Sequence, residues 1–296
     1  MSKETIDFIG VGAPKSGSTW VGQILEEHPQ VLFSSEKTRK ELYFFNEYDF
    51  WGDKGTGRLS YYNRGLEWYF DQFPKAKKGC IRGEFSATYL SDRVAYKRIK
   101  KDFPNAKILV SLRNPADLLY SLHWYIHNGA VMSIPSDFES TLENEYLTKV
   151  AYFYKHLKNF YDVFDKKQIH VIFHDDIISD PKKVSKDLYA FLNVDEAFIP
   201  DSIKIKVNAA FKVKSRLLKD ITHIILVVID RLRLEKIKIA IYESSFLAKI
   251  YTSLNKVPFK YPKMTPEQRK KCYEIFKDDI EDLEMLLGRD LSSWKV

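Results

Sequence analysis

The stretch Ile6-Asp7-Phe8-Ile9-Gly10-Val11, followed by Gly12-Ala13-Pro14-Lys15-Ser16-Gly17-Ser18-Thr19 and by a helical stretch from Trp20 to His28, decides the fold class. Its first part is apolar and reads as a short buried strand. The Gly/Ser-rich part reads as a loop, and the helix after it stops at His28-Pro29 because the residue before a proline avoids the α region. Farther along, Lys107-Ile108-Leu109-Val110-Ser111-Leu112 reads as a second strand leading to Arg113-Asn114-Pro115 and a helix through about Tyr125. A third, Gln168 to Phe173, ends at His174-Asp175-Asp176, and Lys78 to Glu84 is a weaker strand candidate between them. Strands alternating with helices predict a parallel sheet with helices on both faces. From Val207 onward the pattern is mostly helical, punctuated by Pro258, Pro262 and Pro266, with a last amphipathic helix from Glu267 to Leu287 closed by Gly288. No repeat, low-complexity tract or Gly/Ser/Pro-rich linker divides the chain. Residues 1–296 are therefore expected to form a single α/β domain, a central parallel sheet flanked by helices with a helical C-terminal portion.

Composition sets outer limits. With 45% hydrophobic and 29% charged residues over 296 positions, the chain matches a soluble globular protein, not a disordered, collagen-like or disulfide-framed one. Cys80 and Cys272 are too few for a disulfide framework or a thiolate zinc site, which predicts a reducing compartment. Met1 to Asp7 is polar and no apolar segment with a cleavage site follows. The longest apolar run, Ile224 to Ile229, falls far short of the roughly 20 residues that span a bilayer. The expected location is cytoplasmic. The net charge of +7 is uneven: Lys204 to Lys260 holds 13 Lys or Arg against 4 Asp or Glu. A basic zone implies an anionic partner, such as nucleotide phosphates, a sulfated or phosphorylated substrate, or a membrane surface. Nucleic acid is not expected, because no zinc-finger, RRM or basic-zipper pattern is present. The helix read from Leu217 to Lys238 has apolar faces flanked by Arg231, Arg233, Lys236 and Lys238; core packing with a solvated basic face competes there with a membrane-surface role.

The loop Gly12 to Thr19 departs from a P-loop in one informative place. In GxxxxGK[ST] the lysine directly follows the second glycine and reaches the β- and γ-phosphates. Here that position is Ser18, and the lysine lies inside the loop as Lys15. The cradle of glycines and helix-terminal amides remains, so Ser16, Gly17, Ser18 and Thr19 can surround an anion. A grip on a triphosphate tail is lost. The loop is expected to hold a terminal 5′-phosphate with Lys15 beside the group that leaves from it; a plain Gly/Ser turn is the bland alternative.

Pro14-Lys15-Ser16-Gly17-Ser18-Thr19-Trp20 resembles the 5′-phosphosulfate-binding loop of sulfotransferases that use 3′-phosphoadenosine 5′-phosphosulfate (PAPS). Arg113-Asn114-Pro115-Ala116-Asp117, with Ser121 eight residues after the arginine, resembles that family's 3′-phosphate element. Between them, Lys40-Glu41-Leu42-Tyr43-Phe44-Phe45-Asn46, Gly65-Leu66-Glu67-Trp68-Tyr69 and Gly83-Glu84-Phe85-Ser86-Ala87-Thr88-Tyr89 follow the order seen in heparan-sulfate-type enzymes. Tyr261-Pro262-Lys263-Met264 and Gly288-Arg289-Asp290-Leu291 are similar to the wider family's ending. The likeness is poor from about Ala130 to Val257. It implies a P-loop-like sulfotransferase fold, PAPS as sulfuryl donor without a metal, and a hydroxyl or amine acceptor, with a carbohydrate expected ahead of other small molecules.

Residue roles follow from physics and from that resemblance together. Sulfuryl transfer passes a central group in line between two oxygens, or from oxygen to nitrogen, so positioning and charge stabilisation supply most of the acceleration. Lys15 is expected to stabilise the charge that develops on the 5′-phosphate oxygen, with Ser18, Thr19 and loop amides beside it. The resemblance places Trp20 near the adenine, with a core tryptophan as the alternative, and makes Glu41 the general base. Arg113 can fork onto a phosphate, and Ser121, nearly two turns on, can donate its hydroxyl on one helical face. His123 and His127 sit one turn apart and could face the acceptor, His123 being the catalytic candidate; they also have a metal spacing, without a third ligand pattern. Glu84 is expected to orient Lys15 or a substrate hydroxyl, with a plain strand-end acid as the alternative. Phe85 stands where the heparan-type pattern often has lysine, and Val257-Pro258-Phe259 where it has a basic Lys-Gly-Arg loop. The stretch Asn208 to Arg216 resembles one in bacterial sulfotransferases and offers Lys214 and Ser215 as substitute nucleotide contacts. A small-molecule kinase using ATP, with Asp175-Asp176 as its metal-binding acids, and a non-catalytic nucleotide-binding module are the competing readings.

Overall fold

A computed structural model describes residues 4–34, 41–47, 61–129, 136–204, 211–215 and 256–295, together with isolated positions from 217 to 234. Strand β1 (Phe8–Gly12) is buried along its whole length. It pairs in parallel with β3 (Ile81–Phe85) on one side and β4 (Lys107–Leu112) on the other. With β2 (Val31–Phe33) and β5 (Ile169–Phe173) at the edges, the sheet runs β2-β3-β1-β4-β5, all parallel. The expected strands are thus present. The short edge strand β2 was not expected, since three residues make too little pattern to read. β3 read weakly because Arg82, Gly83 and Glu84 are not apolar, yet Arg82 and Glu84 are buried.

The order of strands locates a crevice. After β1 the chain passes through α1 (Ser18–Glu26) to β2 on one side. After β4 it passes through α4 (Pro115–Gly129, the fourth long helix after α2, Gly65–Phe70, and α3, Ala95–Asp102) to β5 on the other. The carboxyl ends of β1 and β4, which are direct neighbours, therefore straddle the switch point where open α/β sheets bind ligands.

Alternation along the strands feeds two cores. Ile9, Val11, Ile108, Val110 and Leu112 pack with Phe44, Tyr69, Leu122, Phe153 and Phe276 on one face. Phe8, Phe85, Leu109 and Ile172 pack with Trp20, Ile24, Leu188 and Tyr189 on the other. Gly10 has no alternative here: a methyl group on it would lie 2.1 Å from the Phe85 ring.

The last helix, Pro266–Leu287, starts on a Thr265–Gln268 capping box and stops at Gly288 with φ 63°. Its Asp279 accepts the amides of Tyr154 and Lys155 at 3.0 and 3.1 Å, so it caps the helix Phe153–Tyr161 and docks the C-terminal segment on the sheet. Among the described residues after Val207, two short stretches are strand where the pattern predicts mostly helix. β6 (Phe211–Val213) and β7 (Lys256–Pro258) form an antiparallel ribbon that packs on α4. Residues 217, 221, 224, 225, 228, 229 and 231 are helical, and the remainder of the helix expected from Leu217 to Lys238 lies outside the described residues apart from Leu232 and Leu234. Among the described residues no helix is long and apolar enough to cross a membrane.

Candidate active site

The two loops that leave β1 and β4 are bonded to each other. Ala13 N–H donates to Ser111 O at 2.6 Å, and Ser111 Oγ donates to Ser16 O. The Arg113 guanidinium donates to Lys15 O at 3.3 Å. The short helix that follows β5, His174–Ser179, completes the rim, for a methyl group on Gly17 would lie 2.8 Å from Ile177 Cδ1 and 3.4 Å from His174 Cδ2. Gly17 also adopts φ 92°, a conformation that disfavours any L side chain. α1 begins at that glycine with no side-chain cap and no acidic residue in its first turn. Its amides point at the space above the loop, where the helix dipole favours an anion.

Lys15 takes a left-handed backbone, φ 61°. Its ammonium lies 4.5 Å from the centre of the Tyr125 ring, a cation–π contact. Burial first, and then the charge of Glu41, push the Tyr125 hydroxyl above its ordinary pKa, so the phenol stays protonated. Lys15 touches the Tyr125 ring, and the charge of Glu41 reaches its hydroxyl. Burial lowers the Arg113 pKa against the opposing charges of Asp117 and Asp175. The Tyr261 pKa is raised chiefly by burial, with the Arg113 charge opposing and Tyr125 adding to the shift. Ser121 lies one turn before Tyr125, about 40° around α4, and so shares this face. His174 is driven down to about 4 by burial and by the Arg113 charge, which keeps it neutral beside the loop.

Two expected members are placed elsewhere. His123 is about 200° around α4 from Tyr125. Its side chain is 0% exposed, and its Nδ1 pairs with Thr141 Oγ1 at 2.7 Å. It packs beside His127, with ring planes 4° apart, on the face away from Lys15. The helical phase of α4 therefore replaces the expected His123 with Tyr125. Trp20 is 5% exposed within the apolar cluster under α1, which is the packing of a core tryptophan. Phe85 lies in that same cluster, so the position that carries lysine in the resembled pattern points away from the loop.

Other expected residues fall between these cases. Lys214 is exposed and Ser215 half-buried just after β6. Val257 and Pro258, read as replacing a basic loop, belong to the strand paired with β6, so the missing loop and its proposed substitute are hydrogen-bonded neighbours. Phe259 and Tyr261 then pack on Trp124 of α4. Asp176 forms a two-pronged ion pair with Arg289 at 2.7 and 2.8 Å, and Asp175 accepts from Trp294 Nε1 at 3.3 Å. Asp117 is held by Arg269 at 2.6 Å. Tyr61 stacks on Trp68 and Tyr62 packs on Phe44, both half-buried against the core; Lys40 lies outside the described residues. The sequence does not predict Tyr125 or Tyr261 as members of this face, although Tyr125 stands four residues from Ser121 and Tyr261 opens the Tyr261-Pro262-Lys263-Met264 stretch.

Comparison with known proteins gives a consistent result. The sulfotransferase domain model matches residues 5–284. The human bifunctional heparan sulfate N-deacetylase/N-sulfotransferase 2 is 27% identical over 206 residues, which make up 63% of this chain and 22% of that protein. Its bovine counterpart is 37% identical over 127 residues, 42% of this chain and 13% of that protein. The chain therefore spans less than a quarter of the length of these curated relatives. The crystal structure of a sulfotransferase from Alicyclobacillus acidocaldarius superposes with a TM-score of 0.69 at 22% identity, over 99% of this chain and 100% of that one, and so shares the fold. With the match running almost from end to end, the chain belongs to the sulfotransferase domain family.

Proposed function

We propose that the protein transfers the sulfuryl group of PAPS to a hydroxyl or amine of a carbohydrate. The observation that carries this reading is the meeting of two cationic elements at one switch point: the uncapped start of α1 with Lys15, and Arg113 at the end of the adjacent strand. A nucleotide phosphorylated at two ribose positions fits that pair. The heparan sulfate N-sulfotransferase relatives support a carbohydrate acceptor.

PAPS, when bound, supplies the sulfuryl group and leaves as adenosine 3′,5′-bisphosphate. The α1 amides, Ser16, Gly17, Ser18 and Thr19 would hold its 5′ end, and Arg113 and Ser121 its 3′-phosphate, with Lys214 and Ser215 as further contacts. Lys15, held against the Tyr125 ring, stabilises negative charge at the 5′ side. Glu41 accepts the acceptor's proton. Tyr125, kept protonated, donates a hydrogen bond in the same space.

Calorimetry with adenosine 3′,5′-bisphosphate and ATP side by side tests the donor: preference for the bisphosphate is expected, and binding of ATP alone would overturn the reading. Transfer of labelled sulfur to a glucosamine-containing oligosaccharide should persist in EDTA. A kinase would need magnesium, yet Asp175 and Asp176 already have partners in Trp294 and Arg289.

A second surface supports contact with anionic lipid. Leu217, Ile221, Ile224, Ile225, Val228 and Leu232 are exposed, with Lys214 and Arg231 exposed beside them. Co-sedimentation is expected with phosphatidylserine vesicles and not with neutral phosphatidylcholine ones; no binding to either would refute it.

A further inference from the structure

The segment 41–45 carries Glu41 and has neither helix nor strand to satisfy its backbone. Buried amides need partners, so something must hold it. Leu42 N–H and Tyr43 N–H donate to Ser86 Oγ at 3.0 and 3.2 Å, and Phe45 N–H donates to the Tyr89 hydroxyl at 3.4 Å. Tyr43 is held in the left-handed region, φ 53°. Both hydroxyl oxygens can accept because their protons point elsewhere. Ser86 Oγ donates to Glu84 Oε2 at 2.6 Å and Tyr89 to Glu84 Oε1 at 2.9 Å. Tyr69, from α2, donates to the same Oε1 at 2.9 Å but accepts no amide of this segment. Glu84 is 0% exposed on β3.

We infer that Glu84 is a positioning residue: as a buried acceptor of three hydroxyl protons it turns the lone pairs of Ser86 and Tyr89 toward the backbone that presents Glu41. This rests on the role proposed for Glu41. A glutamine could not substitute, because its NH₂ would meet a hydroxyl proton and reverse one link of the chain.

Ionising Glu84 in this buried position costs stability. Burial pushes Glu84 up to about 7 from the ordinary 4.5, although the three hydroxyls and the Leu42 amide pull it down. The groups around it are Ser86, Tyr69 and Tyr89, with Asp102 acting on Tyr69 from behind. The folded state thus binds the proton more tightly than the unfolded chain. Stability is lost as pH rises from the ordinary glutamate range to about 7, and the loss is complete above it.

The test uses the full chain with Glu84→Gln, Ser86→Ala and Tyr69→Phe. Amide hydrogen exchange across residues 41–45 should quicken by about tenfold or more in the first two and stay unchanged in Tyr69→Phe. In Glu84→Gln, kcat for transfer from PAPS to a glucosamine oligosaccharide should fall about 10²-fold. The Kd for adenosine 3′,5′-bisphosphate should hold within about threefold. Stability of that variant relative to the unaltered protein should rise as pH increases from about 5 to 8, because the group that titrates there is gone. Unchanged exchange in both Glu84→Gln and Ser86→Ala overturns the inference, as does faster exchange with undiminished kcat. A protein that binds no bisphosphate and transfers no sulfur counts against the proposed activity instead, and exchange then judges the positioning alone.

Discussion

Lys15→Ala is expected to lower the rate of sulfuryl transfer about 10²- to 10³-fold, the range seen when one preorganised donor to a developing oxyanion is removed. The ammonium is not a free surface charge. It is half-buried, its backbone is held in the left-handed region, and its head lies 4.5 Å over Tyr125. Such a group needs little reorganisation when charge develops, which is the condition for a large effect on the chemical step rather than on binding. Single-turnover measurement with saturating PAPS should therefore show the loss, while the Kd of adenosine 3′,5′-bisphosphate shifts far less. A change confined to KM would mean that Lys15 binds ground state and transition state alike, and would remove it from the mechanism.

Arg113→Ala should sharply narrow the distinction between adenosine 3′,5′-bisphosphate and adenosine 5′-monophosphate. A hydrogen bond to a charged group is worth about 1.5–3 kcal/mol, or about 10- to 150-fold in affinity. Calorimetry with the two nucleotides reads this directly: the bisphosphate should weaken by that factor and the monophosphate barely change. Arg113→Lys should recover only part of the loss, since it keeps the charge and loses the planar fork. Asp117 remains paired with Arg269 in both variants, so the fold should tolerate them. Equal weakening of both nucleotides would place Arg113 at the 5′ end and sink its assignment.

The strand–loop–helix unit, the strands that became β4 and β5 and the capped last helix were all legible, because periodicity, glycine and proline signals and capping residues act within a few positions of themselves. β3 is hard to read for the opposite reason: its buried Arg82 and Glu84 look like surface residues until their partners, Glu4 and the Phe70 ring for the one and Tyr69 and Tyr89 for the other, are brought to them by the fold. His123 and Tyr125 show the same limit. Histidine is the more reactive type, and only the docking of α4 on the sheet decides which of the two meets Lys15.

From the linear order of residues alone came the class of fold, the anion-binding loop with its shifted lysine and the arginine that follows β4, since each is written in a contiguous run. Tertiary structure alone set Lys15 against Tyr125 within range of the Glu41 charge, turned His123 and Trp20 inward and hung the 41–45 backbone on Glu84 through two hydroxyls. The reason is that partner choice between distant segments depends on which faces the packed sheet and helices present to one another, and no local spacing carries that information.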